Sequence, residues 1–302
     1  MRGVPANNPM RTVTSNNNKR VLVLGATGML GHTTLRYFID RKQYPVFGSV
    51  RSEAGVRLLP TELRKNIAVG VDVGNFDSLT QLFDDVRPQI VINCIGLVKQ
   101  LAQADDPLVA LPINSLLPHR LARLCALSNA RLIHISTDCV FSGSKGMYRE
   151  DDPSDAKDLY GRSKFLGEVD YPHAVTLRTS IVGPELNSSH GLVGWFLSQR
   201  TRVLGYTKAI FSGLTTVELA HVMHDFVIPH VSIRGVYHVS VDAIDKYALL
   251  RHVAESYGTT TEITPDDKLV IDRSLDSARF KAATGYKPPA WPELITRMRD
   301  FG

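Results

Sequence analysis

The chain has 302 residues, 43% hydrophobic and 22% charged, a composition that fits a globular protein with a substantial core. Arg2, Arg11, Lys19 and Arg20 lie in a first stretch of 20 residues that has no acid; without them, 31 basic residues face 30 acidic ones. A body so nearly neutral argues against nucleic-acid binding, and no apolar run nears the roughly 20 residues that span a bilayer.

The Asn-rich positions 6–18 read as part of a disordered tail over residues 1–19. The start of the chain has no apolar signal-peptide core. Cys94, Cys125 and Cys139 are odd in number and form no C-x-x-C, so reduced thiols and a cytoplasmic location are expected. Strand patterns then alternate with helical ones. Strands are expected at 20–24, 45–50, 67–71, 89–94, 131–136 and 174–178, and helices at 28–40, 75–86, 116–128 and 158–170. This alternation predicts an α/β chain with a Rossmann-type, doubly wound parallel sheet over residues 20–180. From 181 to 302 the pattern loosens into a smaller C-terminal substrate lobe. Short helices are expected there at 191–199, 217–227 and 290–300, and residues 235–239 are expected to return to the main sheet. His221 and His224 fall in a helical pattern with no third ligand in view, so no metal site is expected.

Gly25-Ala26-Thr27-Gly28-Met29-Leu30-Gly31 follows the first strand and opens a helix. Glycines there let the backbone approach a pyrophosphate, and the helix N-terminus offers amides and a positive dipole end. Where an NAD-preferring chain carries an acid, the end of the second strand offers Ser49 and Arg51 instead, which suit a 2′-phosphate. NADPH is therefore expected, with NADH as the lesser option. Asp72 and Val73 are placed to meet adenine, and Cys94 and Gly96 to run alongside the cofactor.

Tyr160 and Lys164 are four apart, on one face of a predicted helix. A nearby ammonium favours a phenolate, so Lys164 is expected to lower the Tyr160 pKa. Downstream of a glycine-rich turn and just after Ser136-Thr137-Asp138, the pair points to a nicotinamide-dependent oxidoreductase.

GATGMLG at 25–31, STDCVF at 136–141, YREDDP at 148–153 and YGRSK at 160–164 together resemble the extended short-chain dehydrogenase/reductases. The resemblance is nearest to the dTDP-4-dehydrorhamnose reductase branch, with LRTS at 177–180 and RSLD at 273–276 adding to it. It implies NADPH-dependent reduction of a nucleotide-linked 4-keto-6-deoxy sugar by a homodimer. Tyr160 would protonate the substrate oxygen, and Lys164 would bind the nicotinamide ribose. Thr137 would hold the same oxygen, supported by Ser136 or Asp138. Asn114 would assist a proton relay, and Arg273 would meet the substrate diphosphate.

The chain departs from the branch at two positions: Ile181 stands where an aromatic residue is usual, and Cys139 replaces a Tyr. In the related GDP-fucose synthases a Cys at this offset works with a His, and the segment at 187–190 resembles the one that carries that His. A second reading therefore adds epimerisation through Cys139 and His190. A third is a non-catalytic NADP-binding regulatory subunit, like those of methionine adenosyltransferases.

Overall fold

The computed structural model describes residues 19–97 and 105–302; nearly all of the expected tail lies outside these. Seven parallel strands form the main sheet: β1 (Val21–Leu24), β2 (Val46–Val50), β3 (Ile67–Val69), β4 (Ile90–Asn93), β5 (Arg131–Thr137), β6 (Ala174–Thr179) and β7 (Gly235–His238). Their order is β7-β6-β5-β4-β1-β2-β3. The order reverses between β1 and β4, and the crevice at that switch point is where doubly wound sheets bind ligands.

Alternation explains why β1 reads as an unbroken apolar run. Val21 and Val23 enter one core cluster, while Leu22 and Leu24 enter the cluster on the opposite face. Full burial of each such side chain contributes about 1.5–3 kcal/mol. One face is covered by the helices Phe76–Val86 and Leu117–Leu127. The other is covered by the helix Met29–Arg41, against which the helix Thr216–His221 packs; Thr33 Oγ1 donates to Thr216 Oγ1 at 3.2 Å across that contact. This second cluster continues into the C-terminal part through Phe211, Leu249, Trp291 and Met298.

Three short strands there form a small sheet: Ala209–Phe211 in the middle, antiparallel to Ile244–Asp245 and parallel to Ile271–Asp272. The helix Lys246–Tyr257 starts directly after the first flanking strand, and Arg273 directly follows the second.

Local chemistry sets several boundaries. Asn75 caps its helix by accepting from Asp77 N at 2.9 Å. The helix expected over 158–170 spans only Leu159–Leu166, because Gly167 stops it and Glu168 turns into the interior. The helix Leu117–Leu127 is preceded by helical turns from Pro107, with a wide turn over Leu111–Leu116. Pro118 has no N–H to give the Asn114 carbonyl, which accounts for a ladder that cannot stay regular. The sequence pattern missed the helix Lys246–Tyr257, whose buried stripe is only Leu249, Leu250 and Val253. Its local signals are its two ends: Asp245 accepts from Ala248 N at 2.8 Å, and Gly258 closes the helix in the left-handed conformation.

Candidate active site

Thr137 ends β5 and caps the short turn Asp138–Val140, accepting from Cys139 N at 3.1 Å. The helix Leu159–Leu166 crosses this turn and brings Tyr160 to Thr137. Asp158 caps that helix by accepting from Gly161 N at 2.7 Å. Gly161 is what permits the crossing: a Cβ at this position would collide with the backbone carbonyl of Cys139.

Tyr160 is partly exposed, and its phenol is raised above the ordinary value. Burial is the main cause, helped by Cys139, Asp138 and Asp158; the Thr137 hydroxyl works in the other direction. The expectation that Lys164 lowers this pKa is therefore corrected. Lys164 Nζ instead donates to the Ile135 carbonyl at 2.7 Å. Burial pushes Lys164 down to about 8, partly offset by Glu168. Burial and acidic neighbours outweigh any ammonium effect, so the phenol keeps its proton.

Lys164 Nζ also stands beside Gly96, 3.7 Å from where a Cβ would sit, next to the amide of Asn114. Asn114 Oδ1 accepts from Leu97 N at 2.9 Å, and its Nδ2 donates to Ser163 Oγ at 3.1 Å. Asn114 thus ties the exit of β4 to the helix that carries Tyr160 and Lys164. Ser163, which the sequence reading passed over, is part of this support.

Ser136 does not join the site. Its hydroxyl donates to Glu168 Oε1 at 2.7 Å, and Glu168 is held by Arg178 through both oxygens, at 2.8 and 2.7 Å. The reason is the pleat: neighbouring residues on β5 face opposite sides of the sheet, so Thr137 and Ser136 cannot both face the substrate. Asp138 is buried beside Thr137, and burial raises its pKa while Arg273 and then Lys246 lower it. Arg273 Nε donates to the Phe141 carbonyl at 2.8 Å. Lys246, absent from the sequence reading, faces Asp138 and Cys139 from the small sheet.

Burial pushes the Cys139 thiol up to about 12, reinforced by Asp138. His190 is exposed on the loop before Gly191, and among the described residues no hydrogen bond or ring contact joins it to Cys139. His221 and His224, read as ordinary helical histidines, share the carboxylate of Asp225 at 2.6 and 2.8 Å.

At the switch point, Ala26 N donates to the Ser49 carbonyl at 3.0 Å, locking the glycine-rich turn to β2. Gly31 is required by packing, since a Cβ there would strike the Gly25 carbonyl. Gly28 is exposed, and a Cβ there would meet only the Gly25 oxygen, at 3.4 Å. The fold tolerates a side chain at Gly28, whereas a phosphate seated on the helix start does not, so the turn fits a dinucleotide. Thr27 and Met29 are partly exposed, but the Leu30 side chain is in the core, leaving only its backbone to face a ligand.

Arg51 is exposed at the end of β2, while Ser49 is 2% exposed and cannot accompany it. Ser52, on the other side of Arg51 in sequence, is exposed. Asp72 is exposed and accepts from Gly74 N at 2.9 Å, and Val73 is buried beside it. Cys94 directly follows β4, and burial pushes its thiol up to about 12.

The family model for the RmlD substrate binding domain matches residues 19–300. The dTDP-4-dehydrorhamnose reductase of Aggregatibacter actinomycetemcomitans is 24% identical, over 93% of this chain and 99% of its own length. That of Streptomyces griseus is 31% identical over 49% of this chain and 43% of its own. Among solved structures, dTDP-4-dehydrorhamnose reductase from Bacillus anthracis in complex with NADP has a TM-score of 0.77. It covers 94% of this chain and 99% of its own at 21% identity, a likeness of fold.

Proposed function

The chain belongs to the RmlD substrate binding domain family, and from that premise we propose that it reduces the keto group of a nucleotide-linked 4-keto-6-deoxy sugar with NADPH. The observation that carries this reading is Tyr160, packed against Thr137 with its phenol pKa raised. A reductase needs an acid at the carbonyl oxygen, and a phenol that keeps its proton is one.

Gly25, Thr27, Gly28, Met29, Leu30 and Gly31 would hold the cofactor's pyrophosphate through backbone amides, and Arg51 its 2′-phosphate. Asp72 and Val73 would border the adenine, and Cys94, Gly96 and Lys164 the nicotinamide end. NADPH, when bound, supplies the hydride. Tyr160 gives its proton to the carbonyl oxygen, and the Thr137 hydroxyl holds that oxygen in line. Proton loss from Tyr160 is opposed by Asp138 and Asp158, so it transfers the proton only as negative charge develops on the substrate oxygen. Lys164, already loosened to about 8, would return a proton to the phenol afterwards, with Asn114 assisting the relay.

The test is NADPH oxidation against a panel of dTDP-, UDP- and GDP-linked 4-keto-6-deoxy sugars. Wild type should consume NADPH with at least one of them, and Tyr160→Phe should be slower by about 100-fold or more. A wild type that binds NADPH and consumes none with any sugar overturns the proposal.

A further inference from the structure

Lys246 is the first residue of its helix, where a cation opposes the positive end of the helix dipole at a cost of about 0.3–1 kcal/mol. Its side chain is partly buried, and its ammonium lies over the Phe211 ring, 3.6 Å from the centroid. Among the described residues no hydrogen bond or ion pair engages that ammonium. The placement costs stability, offset by one aromatic contact and by the charge of Asp138.

The small sheet explains what Lys246 looks toward. Arg273 N donates to the Ile210 carbonyl at 3.0 Å, which puts Arg273 level with Phe211 on one side, while Lys246 reaches over the Phe211 ring from the other. Both cations act on the same pair of groups, Asp138 and Cys139. Two positive charges thus face one carboxyl, and the thiol stays neutral. Burial loosens the Lys246 proton, pushing it down to about 8. A partly buried cluster with surplus positive charge is unfavourable until an anion arrives.

Resting on the nucleotide-sugar reading above, we propose that Lys246 pairs with Arg273 as a two-cation clamp for the substrate's diphosphate. A sugar hydroxyl would accept a hydrogen bond from Lys246 but would leave the surplus charge in place; a diphosphate offsets it and accepts charge-assisted hydrogen bonds from both residues. The cofactor's own phosphates belong at the glycine-rich turn after β1, whereas Lys246 faces the end of β5.

The experiment is calorimetric titration of the full chain, loaded with NADP⁺, with dTDP, UDP and GDP. Wild type, Lys246→Met and Lys246→Arg are compared, and NADP⁺ affinity is measured for each. At least one nucleoside diphosphate should bind wild type. Lys246→Met should bind it about tenfold more weakly or worse, Lys246→Arg should stay within about threefold, and NADP⁺ affinity should not move. A Met variant that binds the nucleoside diphosphate as wild type does overturns the clamp while leaving the nucleotide-sugar reading intact. A parallel loss of NADP⁺ affinity overturns it too, because Lys246 would then serve the cofactor or the fold. Wild type that binds NADP⁺ but no nucleoside diphosphate overturns both.

Discussion

The Cα of Gly161 lies against the backbone carbonyl of Cys139, so close that no side chain fits between them. Through this contact the helix bearing Tyr160 rests on the turn that follows Thr137. Gly161→Ala should force the two apart, costing about 1–3 kcal/mol as overpacking and misplacing the acid. Thermal melts and NADPH oxidation read the two effects; a variant with unchanged kcat would show that the contact does not set the Tyr160–Thr137 geometry.

Ser136 and Glu168 separate support from chemistry. Ser136→Ala removes one hydrogen bond and should cost about 1 kcal/mol of stability with kcat retained. Glu168→Ala strands Arg178, whose side chain is 5% exposed, and should cost about 3–5 kcal/mol. Denaturant unfolding measures both. Loss of turnover in a fully folded Ser136→Ala would return Ser136 to the substrate side.

Arg51 is exposed, and among the described residues no ion pair or hydrogen bond engages its side chain, so its effect should be confined to cofactor choice. Arg51→Ala is expected to weaken NADPH binding about tenfold and to leave NADH binding nearly unchanged. Fluorescence titration with both cofactors decides it, and an equal loss for both would mean that Arg51 does not read the 2′-phosphate.

His238 gives the fold an acid-sensitive point. Its Nδ1 lies 3.0 Å from the Tyr148 carbonyl, to which it donates, and Arg178 Nη1 donates to Nε2 at 3.2 Å, so the ring is held neutral. Burial and then Arg178 push its pKa down to about 4, from 6.5. Between those values the unfolded chain takes up a proton that the folded one refuses. The contribution is complete above pH 6.5 and is lost as pH falls towards 4. His238→Asn should be less stable at pH 7 but lose less on acidification over this range. Unfolding free energies at pH 4.5, 5.5 and 7 would expose the opposite trend.

Cys139 should not deprotonate a sugar carbon while its thiol sits at about 12. Reduction in deuterium oxide is expected to leave the ring carbons next to the former carbonyl unlabelled. Label that appears there in wild type and disappears in Cys139→Ser would establish the epimerising role instead.

Much of the framework was legible before folding. The unbroken apolar run of β1, the glycine-rich turn and the helix expected over 75–86 depend on neighbours within a few residues, and such preferences are written locally. The four-residue spacing that puts Tyr160 and Lys164 on one helical face is of the same kind. The direction in which Tyr160 titrates was not legible. Lys164 is near it in sequence, but Ile135, 29 residues away, holds the ammonium. Ser136 was misread because its partner Glu168 lies 32 residues on.

The amino-acid order by itself determined the alternation of strands and helices, the glycine-rich turn after β1 and the placing of Tyr160 and Lys164 on one helical face, because each follows from hydrogen bonding and side-chain periodicity over one or two turns of chain. Tertiary structure alone decided which charges Tyr160 meets, that Ser136 turns inward, and that Lys246 and Arg273 converge beside Asp138. Electrostatic energies depend on distance through space and on burial, and both are set only when segments separated along the chain pack together.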